Sequence, residues 1–141
     1  MRDTLESWAH RVWAERDQAA IDEMCSAESR WYGLGPQPLV GVEQYKAFHQ
    51  HLCGLLPETR LEVNQSIEQD GWLAALCSFT GRMPDGRQAT VQGAIHARVA
   101  DGKVLEAHNH FDFLGFFMQL GLLPPDTLER CMKGEAVGAP G

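Results

Sequence analysis

Asp101-Gly102-Lys103-Val104-Leu105-Glu106-Ala107-His108-Asn109-His110-Phe111-Asp112 is the stretch from which the fold can be read. Asp101–Gly102 signals a type I′ turn, which needs positive φ at both central residues. The run that follows, Val104 to Leu114, alternates as a β-strand does. Upstream, the same dipeptide recurs at Asp85–Gly86 and Asp70–Gly71, spaced by 16 and 15 residues. Three such turns between alternating runs predict a four-strand antiparallel meander, with strands over about 58–69, 72–84, 87–100 and 103–114.

Ahead of the meander the period is helical. Residues 4–25 carry Leu5, Trp8, Ala9 and Val12 at helical spacing. Asp17 is placed to start a second turn with Ala20, Ile21 and Met24 inward. Trp8 and Trp13 read as anchors of a helix packed on a sheet. Arg30 to Tyr32 reads as a short strand entering the Gly/Pro loop that ends at Pro38. Residues 41–56 return to helix through Val42, Tyr45, Phe48 and Leu52, with Gly54 and Pro57 at the exit. After the sheet, residues 115–120 read as a helical turn capped by Gly121 and stopped by Pro124–Pro125; residues 126–133 read as a last short helix. The expectation is one α+β domain over residues 1–134, helices packed on a curved antiparallel sheet, and a mobile tail over 135–141.

The totals set outer limits. The chain has 141 residues, 44% hydrophobic and 22% charged, which is enough apolar content for one ordinary core. A formal net charge of -7 argues against nucleic acid and against anionic membrane surfaces as partners. No apolar run is long enough to span a bilayer, and Met1–Leu5 lacks the order of a signal peptide. Cys25, Cys53, Cys77 and Cys131 are scattered and form no CxxC pair. They read as free thiols in a reducing compartment, so the expected location is cytoplasmic.

Two-residue turns fix register. Pairing Ala100 with Lys103 puts Gly93 opposite His110 and Val91 opposite Asp112. Pairing Pro84 with Arg87 puts Ser78 beside Gly93 and Thr80 beside Val91. The face of Asp112 then also carries Trp72, Ala74, Leu76, Ile95, Ala97 and Val99, and it is the more apolar one. Asp112 is therefore expected to point inward, among small neighbours that leave room. A β-bulge would move everything beyond it to the other face.

His108, His110 and Asp112 share a strand face, and burying two imidazoles and a carboxylate needs partners. Either that face is wet or it lines a site. Asp112 then has two readings, a structural hydrogen-bond partner or a general acid/base whose pKa burial raises. His110 would bond a substrate carbonyl, orient Asp112, or be satisfied by backbone. His108 is a further wall residue. His49 and His51 lie mid-helix, where one faces either the pocket or solvent. Trp31, Tyr32 and Trp72 are wall candidates, with Tyr32 also able to donate to an oxyanion. A facial two-histidine, one-carboxylate metal set is a rival class, but its outer pair would be roughly 13 Å apart along a flat strand.

The pattern goes beyond composition. Asp101-Gly102-Lys103-Val104-Leu105-Glu106, then Asn109 and Asp112, then Gln119-Leu120-Gly121-Leu122-Leu123-Pro124 resembles the C-terminal signature of SnoaL-like polyketide cyclases. That family runs from D-G-K-I-x-E through W-N-x-x-D to Q-Q-L-G, on the NTF2-like α+β cone. Trp13 to Asp17, Gly41 to Tyr45 and Phe79-Thr80-Gly81 are similar to family positions too, and the likeness spans roughly residues 5–124. The resemblance implies a cofactor-free ester cyclase closing a ring by intramolecular aldol condensation, with Asp112 as the catalytic aspartate. It also implies a small hydrophobic carbonyl substrate and a homodimer, and it allows a histidine from the strand of His96 to enter the site. Two positions depart: His108 stands for the usual tryptophan, and Phe111 precedes the aspartate. A non-catalytic ligand-binding module on this fold is the other class, since fold does not settle function.

Overall fold

The computed structural model describes residues 1–138. Helix α1 (Arg2–Trp8) runs on into a π-helical turn, Ala9–Ala14, and α2 is Gln18–Met24. Then come β1 (Arg30–Tyr32), β2 (Leu39–Val40) and α3 (Gly41–Leu55). The meander is β3 (Glu58–Gln69), β4 (Trp72–Arg82), β5 (Gln88–Ala100) and β6 (Lys103–Phe111). Helices α4 (Phe113–Gln119) and α5 (Thr127–Met132) close the order. Of the tail from Glu135, residues 139–141 lie outside the described residues.

The sheet order is β2-β1-β6-β5-β4-β3. Hairpins fix the four meander strands, and β1 adds a parallel partner to β6 that local sequence does not announce. Asp17 caps α2 by accepting from the Ala19 N–H at 3.0 Å. Leu5, Val12 and Ile21 bury their side chains against Leu73, Ala75 and Cys77 of β4 and Ile95 and Ala97 of β5, so the helices cover one face of the sheet.

The predicted register needs two corrections. Asp70–Gly71 and Asp101–Gly102 are the expected two-residue turns, with both aspartates at positive φ (53° and 54°). The middle turn is longer. Met83 N–H donates to the Arg87 carbonyl at 2.8 Å, leaving Pro84, Asp85 and Gly86 in the loop. Only Gly86 has positive φ there, 92°. This is the three-residue hairpin ending in a left-handed residue, with Pro84 supplying the fixed φ of the turn. The extra residue slips β4 by one, so Cys77 and not Ser78 lies opposite Gly93. The inward set of β4 is thus Leu73, Ala75, Cys77 and Phe79, and Trp72, Ala74, Leu76, Ser78 and Thr80 face outward.

The second correction is a bulge. Val99 pairs with Val104 and Arg98 with Glu106, so Leu105 is the extra residue. Beyond it every side chain of β6 changes face. Ala107, Asn109 and Phe111 turn toward the helices, and His108 and His110 turn away. Phe111 can enter because its partner is Gly93, where a Cβ would collide with the Phe111 ring.

Candidate functional site

The concave side of the sheet and the helices above it enclose a cavity with about 420 Å³ of empty space, part of it solvent at an open mouth. Trp8 and Trp13 border it from the first helical segment. Five residues turn an α-helix through about 500°, so two such side chains would diverge by about 140°. The π-helical turn widens the path: Glu15 N–H reaches back five residues to the His10 carbonyl at 2.8 Å. Tyr45, Phe48 and Leu52 line the space from one face of α3. Leu61, Phe79, Ile95, Asn109 and Phe111 line it from the sheet, Leu34 from the loop after β1, and Phe113 from α4.

Aromatic edges shape the interior. Trp13 meets Phe79 edge-to-face at 5.4 Å and 81°. A second cavity, with about 400 Å³ of empty space, continues toward the other end of the sheet. Its walls include Leu5, Trp31, Leu73, Val99 and Val104, and it shares Trp8, Tyr45, Ile95 and Asn109 with the first.

Polar groups in the main cavity are few. Asn109 is buried, and its Nδ2 donates to the Tyr32 carbonyl at 3.0 Å, which fixes the amide. Burial holds the Tyr45 phenol far above its ordinary value. Tyr45 is therefore a neutral donor. Among the described residues, no Asp, Glu, His, Lys or Arg lines this cavity. The lining can hold an apolar molecule and donate to an oxygen, but it contains no base for neutral pH.

The predicted site residues fall elsewhere, and the two register corrections explain most of it. Asp112 is exposed, not inward: it caps α4, its Oδ1 accepting from the Gly115 N–H at 2.8 Å. Its neighbours Phe111 and Phe113 do reach the cavity wall. His108 lies on the outer face, 2.8 Å from Glu106 through Nε2 and stacked on Tyr32 at 4.7 Å and 7°. His96 is outside too, 4.7 Å from the Trp72 ring. His110 is exposed opposite Ala94, and Thr80 Oγ1 bonds Thr90 Oγ1 at 2.9 Å. Trp31 is the exception: it packs tilted against Tyr45, ring centroids 4.5 Å apart, and borders the second cavity.

His49 is neither solvated nor in the cavity. It is 1% exposed, behind Trp13 at 4.8 Å. Its Nε2 donates to the Val12 carbonyl at 2.6 Å and its Nδ1 accepts from the Gln18 amide at 2.5 Å. Desolvation lowers its pKa, with Arg16 adding to that and the Val12 bond opposing it. His108, His110 and Asp112 do not converge, and among the described residues no group of three or more His, Cys, Asp or Glu could hold a metal ion. What the sequence reading missed as site residues are Trp8, Trp13, Tyr45, Phe48, Phe79, Asn109 and Phe111. The Trp8–Trp13 spacing of five was a signal, since it fits no face of a regular α-helix.

A SnoaL-like domain model matches residues 5–107. The chain belongs to the SnoaL-like family. No curated protein sequence matches this SnoaL-like chain. Solved structures do. IdmH of Streptomyces antibioticus, a candidate polyketide cyclase, is 19% identical over 85% of this chain and 97% of its own, with a TM-score of 0.73. A protein of ketosteroid isomerase-like fold from Catenulispora acidiphila is 14% identical over 87% and 95%, with a TM-score of 0.75. TerC, co-crystallised with polyporic acid, is 22% identical over 84% and 98%, with a TM-score of 0.70. At these identities the likeness shows the fold, the NTF2-like cone that the resemblance implied.

Proposed function

We propose that this SnoaL-like protein binds a small, hydrophobic, carbonyl-containing molecule in its main cavity and closes a ring in it by an intramolecular aldol step. The observation that carries the binding is the lining: aromatic and aliphatic walls, no charge, and the Tyr45 phenol as a neutral donor. Such a site welcomes an apolar body and one or two oxygens, and it rejects ions. TerC, of the same fold, was co-crystallised with polyporic acid; for this uncharged cavity a neutral ketone is the better first probe.

The proton transfer is assigned to Asp112, at the end of β6 between two wall residues. As base it takes a proton from the carbon beside a carbonyl. The enolate carbon then bonds to a second carbonyl of the same molecule, and the proton returns to the new alkoxide. Asp112 is exposed, so it would act on substrate protruding from the mouth. His110, exposed on β6 two residues before Asp112, is given an orienting role. The absence of any base from the lining favours a second reading, a ligand-binding module without turnover.

One experiment separates the two. Wild type, Asp112→Asn and His110→Gln are given an enolisable β-keto ester able to cyclise, and binding of an uncharged dialkyl ketone is followed by tryptophan fluorescence. Turnover above background in wild type, slowed about 10²–10⁴-fold in Asp112→Asn with unchanged binding, supports the cyclase. His110→Gln should slow the rate less. Equal rates in wild type and Asp112→Asn would remove Asp112 from the mechanism, and binding with no turnover would leave the module. We further propose a homodimer, assembled through the outer face of the sheet.

A further inference from the structure

The two cavities share four lining residues, which form a pinch between them. Trp8 and Tyr45 form its helical side, ring centroids 5.1 Å apart, and Ile95 and Asn109, partners across β5 and β6, form its sheet side. All four border both spaces. The pinch is also where phenol, indole and amide gather. Away from it the walls are mostly apolar: Phe48, Phe79 and Phe111 toward one end, with the Trp13 indole, and Leu73, Val99 and Val104 toward the other, with Trp31 and Thr4 at its border.

We infer that the two spaces are one elongated binding site, whose ligand is an elongated apolar molecule with its carbonyl near the middle rather than at an end. The inference deepens the proposed function and rests on its reading of the cavity as a carbonyl site. A carbonyl buried without a partner is unfavourable, so it settles at the donors. Donors at the pinch place it midway, with an apolar arm in each chamber. A terminal carbonyl at the same donors leaves one chamber empty. Each methylene that an arm buries tightens binding about fourfold.

The test uses simple ketones as probes: 4-heptanone, 2-undecanone and 6-undecanone, titrated against tryptophan fluorescence. Wild type should bind 6-undecanone at least tenfold more tightly than either of the others. Thr4→Phe adds a ring at the partly exposed border of the second chamber, with little risk to folding. It should weaken 6-undecanone about tenfold and 4-heptanone, whose arms are shorter, much less. Ile95→Phe narrows the pinch itself, where the carbonyl of either symmetric ketone sits, and should weaken both 4-heptanone and 6-undecanone; Tyr45→Phe should abolish the preference for the central carbonyl. Thermal unfolding of each variant checks the fold. If 4-heptanone binds but 6-undecanone binds no better, or Thr4→Phe and Ile95→Phe leave 6-undecanone untouched, the chambers are separate and this inference falls alone. If no ketone binds wild type, the carbonyl reading of the cavity falls with it.

Discussion

Asp112 holds the first turn of α4 by accepting from Gly115, and that duty is separable from proton transfer. Asparagine caps nearly as well as aspartate; alanine does not. Asp112→Ala should therefore lose about 1 kcal/mol of stability in urea unfolding while Asp112→Asn loses much less. If both variants slow turnover but only the alanine lowers the unfolding midpoint, the two duties are resolved. His49 offers a pH test. Its folded pKa lies below its unfolded value, so it stabilises above about pH 6.5, and that contribution is lost as pH falls toward the folded pKa. His49→Gln keeps a donor for the Val12 carbonyl but cannot titrate. Its unfolding midpoint should fall less between pH 7 and pH 5 than that of wild type; parallel curves would show that His49 is not the titrating group. A structural hydrogen bond was one of the two sequence readings of Asp112; the buried role of His49 was not legible. A histidine amid helical polar residues reads as solvated, and only the carbonyl freed at the π-helical turn gives it a buried partner.

At the scale of elements, type and order were legible except that β2 was not anticipated and residues 113–114, expected as strand, begin α4; facing was not legible. Helical period, Asp-Gly turns and the terminal Gly/Pro signals located every helix and all four meander strands. Facing depends on parity, and one residue decides it. Pro84 inside the middle loop and Leu105 at the bulge each shift the count by one, and neither has a composition that announces it. The assignment of Asp112 to the interior failed at Leu105. Local turns can be tested directly. Gly86→Ala places a Cβ at φ 92° and should destabilise by about 1 kcal/mol in chemical unfolding. The signature ending acquires a physical sense as well. Gln119 Oε1 accepts from the Thr90 N–H at 3.0 Å, on a stretch of β5 beyond the end of β6 pairing. Phe116 of the same helix is buried at 1% exposure, so Gln119→Ala should loosen the helix that carries Phe113 onto the cavity wall.

The whole molecule leaves the outer face of its sheet uncovered by its helices, and that face has the composition of an interface. Ile67 and Leu76 are 66% and 54% exposed there, beside Ala74 and Ala94. Trp72, His96, His108 and Tyr32 form a ring cluster next to them. Charged side chains stand toward the ends of the strands, Arg60 and Arg82 at one and Arg98 and Glu106 at the other. A charge-poor centre with aromatic residues and a polar rim is what an interface core needs. Two-fold pairing would bring the same patch together twice, so one charge introduced at the centre enters the interface as a like pair. Sedimentation equilibrium at micromolar concentration should give a dimer for wild type and a monomer for Leu76→Arg. The substituted side chain is exposed in the isolated chain, so cavity binding of ketones should persist in the variant. A wild type that stays monomeric across that range would remove the dimer and leave the cone and its cavity unaffected. A Leu76→Arg protein that stays dimeric would move the interface off this face.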